Sequence, residues 1–527
     1  MTRLLRDLRL IVPISLGLGL ILSLLGPGTW WIGWLAYAFV LTIGLLALTA
    51  LWRSAGGVRR LGLMLILAVV IRLGLGMSFS TILPVFGNDT PVYKAGFPVR
   101  DASTYDAQAW KLASSSEPLW RAFDRSYGAD DQYGGLLFFH SLVYRYLSPD
   151  AHRPWLLMLL SALAGALGVA LAWKGVRLSW GEPVAWGVGW IMALYPESLL
   201  VGSAPVRESF LILFTAMAFW GVVDWQENRH QAAWFWLGGS LLGMALFSPG
   251  VIVATLGVLG VWVWLREKER RISRWWFVAG LGVILLAFVF MGVIVGGTLI
   301  APGGPLVDVF NWLHFAFQYN ANLTVDKSGW IQTIFASLPA SLHLPFIVLY
   351  GVAQPVLPAA IADPAVWPMR ALGILRGLGW YALLPLLLYG LRPIWKMTEK
   401  RERLTWLWLW LTTWSWIFIS AMRAGGDQWN NPRYRVILLL FQAALAAQAL
   451  VWARQTGDRW LGRVLASEGV FLILFGYWYV ARYSNWKSGQ VHIFIIFTAI
   501  IVVVAAIFIY GFVSDHNAKA GRGRLER

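Results

Sequence analysis

Hydrophobic runs of spanning length recur along the whole chain, the first near 9–26 and the last near 491–513. About 20 apolar residues wound as a helix cross the hydrocarbon core of a bilayer. No water reaches backbone N–H and C=O groups there, so only helices and closed barrels can span it. The runs are continuous rather than alternating, which excludes a barrel and leaves a bundle of helices. Composition agrees: the 527 residues are 58% hydrophobic and 13% charged, where soluble domains carry about 25% charge. The expected fold class is an all-α polytopic membrane protein.

The net charge of +17 does not point to nucleic acid. Lys and Arg gather in short clusters between the runs, and such clusters mark the cytoplasmic side. Many of the 34 Trp sit at run ends, among them Trp30, Trp31, Trp275, Trp276 and Trp406, where an interfacial aromatic belt puts them. The absence of Cys excludes disulfides and thiolate metal sites. Arg3, Arg6 and Arg9 precede an apolar core as in a signal peptide. The chain then continues Gly26-Pro27-Gly28-Thr29-Trp30-Trp31 with no small-residue cleavage site, so a retained first helix is expected.

Hydropathy and the basic clusters together predict about fourteen transmembrane helices. Runs near 9–26 and 30–52 make a hairpin whose end is placed inside by Arg53, Arg59 and Arg60. A third run near 60–79 carries Arg72 and delivers a first outer loop, 80–152. In that loop, 103–116 reads as an amphipathic helix with Tyr105, Ala109 and Leu112 on one face, and 133–147 as a short surface-lying helix. Runs near 154–173, 183–202, 206–223, 231–247 and 249–265 lead to a basic segment at 266–271. A run near 276–298 leads out to a second outer region, 299–369. Its apolar part, 334–361, holds Pro339, Pro345, Pro355 and Pro358 and reads as a broken re-entrant or interfacial segment. Runs near 370–391, 405–421, 434–453, 461–480 and 491–513 complete the set, with both termini cytoplasmic. The division expected is an N-terminal hairpin (1–57), a catalytic core (58–453) and a C-terminal pair with a basic tail (454–527). No internal repeat and no Walker, Rossmann or metal-ligand spacing is present.

Four polar features fall on one expected face, the outer one. The first is the loop carrying Asp101 and Asp106. The second is the turn Gly202-Ser203-Ala204-Pro205-Val206-Arg207-Glu208. The third is 299–369, with Asp308, His314, Tyr319, Asn320, Asp326, Lys327 and His343. The fourth runs from Arg423 through Asp427 to Asn431-Pro432-Arg433-Tyr434-Arg435. Each has a plain structural reading beside the functional one. Ser103-Thr104-Tyr105-Asp106 fits a capping box, which gives Asp106 a local task; Asp101 has none and is otherwise a solvated loop carboxylate. Arg207 either snorkels to headgroups or grips a lipid-linked phosphate with its guanidinium fork. Glu208 suits a helix N-terminus by the dipole alone. Arg433 and Arg435 are phosphate ligands or interface anchors, and outer arginines run against the positive-inside bias. His314 and His343 lack ligand spacing, so no metal is expected.

The order of these residues resembles the GT-C superfamily of membrane glycosyltransferases, which includes protein O-mannosyltransferases and lipid A aminoarabinose transferases. The resemblance is carried by Ala68-Val69-Val70-Ile71-Arg72-Leu73 and by Asp-x-x-x-Tyr-x-x-x-Ala at Asp101, Tyr105 and Ala109. It continues in Tyr195-Pro196-Glu197 leading to Arg207-Glu208, and in Asn431-Pro432-Arg433-Tyr434-Arg435 opening a span. It covers roughly 58–453. It implies a polyprenyl-phosphate-linked sugar donor, inverting transfer on the outer side, and an acidic base in the first outer loop, here Asp101 with Asp106 in reserve. The sequence departs from the family pattern in its extra N-terminal hairpin and in Ala102 following Asp101, where the protein-modifying branches carry an acid.

The expected activity is transfer of a sugar to an acceptor hydroxyl on protein, lipid or glycan. Asp101 is the general base, and Arg207, Arg433 and Arg435 bind the donor phosphate. Tyr105, Glu208, Arg72 and His343 support them. No cofactor is expected, and the partners are the donor, the acceptor and membrane lipids. The location expected is the cell membrane. Two other readings stay open: a transporter or flippase of a lipid-linked saccharide, and a lipid-linked sugar polymerase or ligase.

Overall fold

The computed structural model describes residues 2–124, 133–266, 329–363, 365–424, 427–483 and 491–525. Every regular element among them is helical. Among the described residues ten helices are long and apolar enough to cross a membrane, and the bent pair α8 (Glu182–Leu194) and α9 (Pro196–Gly202) makes an eleventh if counted as one span. The chain is a multi-pass helical membrane protein. Of the fourteen expected spans, the one at 231–247 is a shorter apolar helix, α11 (Ala232–Phe247). That at 405–421 lies in the 25-residue helix Lys400–Ala424, whose Trp- and Thr-rich stretch is not among the ten. The span at 276–298 lies outside the described residues, as do Asp308, His314, Tyr319, Asn320, Asp326 and Lys327.

The described chain forms two compact units. The first comprises Met1–Tyr319 with Arg433–Ala444. Its elements are α1 (Thr2–Leu24), α2 (Trp30–Ser54), α3 (Arg59–Phe86), α4 (Pro91–Lys94), α5 (Arg100–Ser114), α6 (Gly135–Leu147), α7 (Pro154–Trp180), α8, α9, α10 (Arg207–Asn228), α11 and α12 (Pro249–Arg266). At its centre α7 packs against α2, α3, α8 and α10. The reason is in its sequence: Ala162, Ala164, Gly165, Ala166, Gly168, Ala170 and Ala172 are all buried. Between helices in lipid, attraction comes from close van der Waals contact, and small side chains permit it.

Arg72 of α3 is fully buried beside α7 and α9. A Cβ on Gly165 or Gly202 would stand 2.7 or 2.6 Å from its Nε, so both positions need glycine to leave the slot open. Its Nη2 donates to Met192 O and Ser198 Oγ, each at 2.8 Å, and its Nη1 to Ala68 O at 3.0 Å and Ala193 O at 3.2 Å. The run at 183–202 is therefore not one straight span. It bends by 54° at Tyr195-Pro196, where proline cannot continue the ladder, and Arg72 takes up the carbonyls the bend releases.

The second unit comprises Asn320–Pro432 with Leu445–Arg527. The apolar part 334–361 is broken there, spread over the helices Gly329–Ser337, Ala340–Ala353 and Leu357–Ala362. Pro339 stands at an N-cap and Pro358 in a first turn, while Pro345 is accommodated inside a helix. The last-turn carbonyls of Ala340–Ala353 lack helix-continuing N–H partners, apart from Gly351 O, which accepts from Gln354 N at 3.2 Å. They accept from Asn431 Nδ2 (2.6 Å, to Gly351), Trp380 Nε1 (2.8 Å, to Val352) and Tyr381 OH (3.1 Å, to Ala353).

Candidate functional site

In the polar interval after α3 the short α4 is followed by two longer helices, α5 and α6, packed on one another. The amphipathic pattern is observed: Ala102, Tyr105, Ala109, Leu112 and Ala113 are buried along one face of α5. Three further contacts hold α5. Arg145 of α6 donates to Leu112 O at 2.6 Å, Ala113 O at 3.1 Å and Ser115 O at 3.0 Å, closing the C-terminal end of α5 with a cation. In the middle of the helix Tyr144 OH donates to the Asp106 carboxylate. On the other oxygen, His152 Nε2 lies 2.8 Å from Asp106 Oδ2.

This corrects the capping-box reading of Asp106. The helix starts at Arg100 with Val99 at its N-cap and no side-chain cap, so Ser103 is already helical and Asp106 lies in the second turn. Its side chain is buried, and Trp110 stacks on His152 at 5.3 Å over the same spot. The Tyr144 phenol is pushed well above its ordinary pKa, by burial first and then by the Asp106 carboxylate, so it stays a donor.

Asp101 is placed differently. It sits in the first turn of α5 with its side chain 38% exposed. Arg433 Nη2 donates to Asp101 Oδ2 at 2.5 Å across 332 residues of sequence. The Nε of the same guanidinium lies 3.2 Å from Glu208 Oε1 in the first turn of α10. Arg433 and Glu208 are 7% and 3% exposed, so the trio meets solvent at Asp101. Both acids stand in the first turns of their helices. Next to Glu208, Arg207 is buried with its guanidinium over the Tyr133 ring at 5.4 Å.

The fold thus joins three of the sequence-predicted residues, Asp101, Arg433 and Glu208, and sets Arg207 beside one of them in sequence. Arg435 is also buried, and its backbone carbonyl accepts from Gln442 Nε2 at 2.7 Å. Tyr105 is on the packed face of α5, and Arg72 is engaged at the α8–α9 bend. His343 belongs to the second unit, where its ring stacks on Phe335 at 3.8 Å and its Nε2 lies 3.0 Å from Leu338 O. Sequence reasoning missed Tyr144 and His152 as partners of Asp106; nothing in their spacing signals a contact made only by packing.

Residues 133–299 match the sequence model of the family described as dolichyl-phosphate-mannose-protein mannosyltransferase. That family falls within the GT-C superfamily, so the match agrees with the resemblance read from the residue order. It covers less than half of the 527 residues, includes Arg207 and Glu208, and stops short of Asp101 on one side and Arg433 on the other. No curated protein matches the chain.

Proposed function

We propose that the chain is a glycosyltransferase of mannosyltransferase type, moving a sugar from a polyprenyl-phosphate donor to an acceptor hydroxyl at the outer face of the cell membrane. The observation that carries this reading is the trio Asp101–Arg433–Glu208, in which one carboxylate reaches solvent and is joined to a buried arginine. The matched family supplies the substrate class.

In this reading the acceptor oxygen attacks the anomeric carbon and its proton passes to the Asp101 carboxylate. The bond from the anomeric carbon to the phosphate oxygen breaks, and its electron pair leaves with polyprenyl phosphate, inverting the configuration. That leaving group is a weak base, so it needs neutralisation of the developing charge rather than a proton. Arg433, with Arg207 and Arg435 as further phosphate ligands, supplies it; removing one such donor typically costs about 100- to 1,000-fold in rate. The membrane holds the donor's tail, and α6 holds α5 so that Asp101 is presented at its end.

The test is reconstitution. Purified chain, given a mannosyl polyprenyl phosphate and a hydroxyl acceptor, is expected to release free polyprenyl phosphate and form a new glycosidic bond of inverted configuration. Movement of intact donor across the bilayer with no new bond would contradict the reading and identify a transporter.

A further inference from the structure

We infer that the donor's phosphate and Asp101 exchange places on Arg433, with Glu208 as the fixed pivot, so that the base is released as the leaving group is seated. This rests on the proposed reading of Asp101 as base and Arg433 as phosphate ligand, and concerns how the two are coupled.

The geometry has two unequal halves. Glu208 Oε1 lies at ion-pair distance from Arg433 Nε, 3.2 Å, and is as buried as the guanidinium itself. Asp101 holds it through Nη2 and is the exposed partner. A guanidinium has five N–H donors in a planar fork. Release of Asp101 opens the Nη1 and Nη2 edge to two phosphate oxygens while Glu208 stays beside Nε as the fixed counter-charge. An anion approaching from solvent meets the cluster at Asp101. Adding it with Asp101 still in place would set three anions around one guanidinium, and like charges at such distances in a partly desolvated site repel strongly. Substituting phosphate for Asp101 keeps the count at two.

The chemistry gives the exchange a purpose. While Asp101 Oδ2 accepts from Arg433, that oxygen is taken and turned toward the guanidinium. Once phosphate holds the guanidinium, the Asp101 carboxylate is released to accept from the acceptor hydroxyl. Glu208 does not touch substrate in this scheme. It is a positioning residue that keeps Arg433 within reach of both anions.

The exchange makes an unusual prediction for a catalytic carboxylate: neutralising it tightens donor-side binding. The probe is a short-chain polyprenyl phosphate carrying no sugar, titrated onto detergent-solubilised full chain. Asp101→Asn is expected to bind it roughly fivefold more tightly than wild type, the order of one partly exposed ion pair, while losing transfer. The gain should vanish in Asp101→Asn/Arg433→Gln relative to Arg433→Gln alone, since it acts through that guanidinium. Glu208→Gln should weaken the probe, and Glu208→Asp should restore part of the loss, which a purely structural role would not require. Unchanged or weaker probe binding in Asp101→Asn, with transfer lost, overturns the exchange and leaves the base assignment standing. Wild-type transfer by Asp101→Asn instead overturns the base assignment beneath it. Asp101→Asn keeps the buried Glu208–Arg433 pair and Glu208→Gln puts an isosteric amide in the place of the acid, and monodispersity of every variant on gel filtration separates a binding change from unfolding.

Discussion

Two buried arginines of the first unit make an instructive pair. Arg153, just ahead of α7, has both of its Nη nitrogens doubly engaged. It donates through Nη1 to Ser148 Oγ (2.8 Å) and Asp150 Oδ1 (2.6 Å), and through Nη2 to Asp150 Oδ2 (2.9 Å) and Thr29 O (3.0 Å). Asp150 Oδ2 also accepts from Thr29 N at 2.7 Å. The group pins the α1–α2 turn to the head of α7, and the turn fits because Gly28 has φ +84° and a Cβ there would lie 2.3 Å from Ala151 Cβ. Arg433, by contrast, donates to one carboxylate that is open to solvent, Asp101, and lies at ion-pair distance from a second, Glu208, on a separate helix. The residue types are the same. A carboxylate three residues away, gripping both ends of the fork, makes a lock. Carboxylates from two distant helices, only one of them accepting a hydrogen bond, leave donors that a ligand can use.

Breaking each centre should therefore do different things. The largest effect expected is on activity: Asp101→Asn should lose about 100- to 10,000-fold in turnover, the usual worth of a general base, with thermal stability near wild type. Next comes Asp150→Asn, expected to cost on the order of 3 kcal/mol of stability by leaving Arg153 without its charge partner, read as a lower unfolding temperature. Turnover per folded molecule should be unchanged. Asp106→Asn should fall between the two classes. Tyr144 and His152 lose a charged partner, for about 1–3 kcal/mol of stability, and turnover should drop less than tenfold.

Acid titration sharpens the same contrast. Hydrogen bonding to Arg153 holds the Asp150 carboxyl well below the usual carboxylate range. Its contribution is thus present above the unfolded-state value, near 4, and is lost as pH falls through the lower folded value. Burial pushes His140 of α6 down to about 3. The folded protein cannot take the proton that an unfolded imidazole binds below about 6.5, so stability is lost as pH falls from there toward 3. The smallest effect expected is that His140→Leu flattens this upper window and leaves the lower one, while Asp150→Asn does the reverse. Unfolding temperature against pH for the two variants checks both.

What was legible in the sequence follows from how local the determining physics is. Apolar runs announced α1, α2, α3, α7 and α10, because spanning lipid is a property of one segment. The face of α5 was legible from Tyr105, Ala109 and Leu112 for the same reason. Its start was not: Ser103 offers a capping side chain, yet packing carries the helix back to Arg100. The break in 183–202 was missed although Pro196 was in view. The carbonyls it frees at Met192 and Ala193 are taken by Arg72, about 120 residues upstream, and such a partner has no local signal. A charge inside a span invites a functional reading; here its hydrogen bonds go to a bent backbone. The polar residues of the site could be picked out one at a time, but the pairing of Asp101 with Arg433 and Glu208 is a product of the fold.

The two acids of α5 offer the most direct test of the account. Asp101→Asn and Asp106→Asn should be assayed side by side for sugar transfer from a mannosyl polyprenyl phosphate, with turnover normalised to monodisperse protein. The account predicts that Asp101→Asn falls by at least about 100-fold while Asp106→Asn stays within tenfold of wild type. Wild-type turnover by Asp101→Asn, with Asp106→Asn inactive but folded, would contradict it and move the base to the buried carboxylate beside His152.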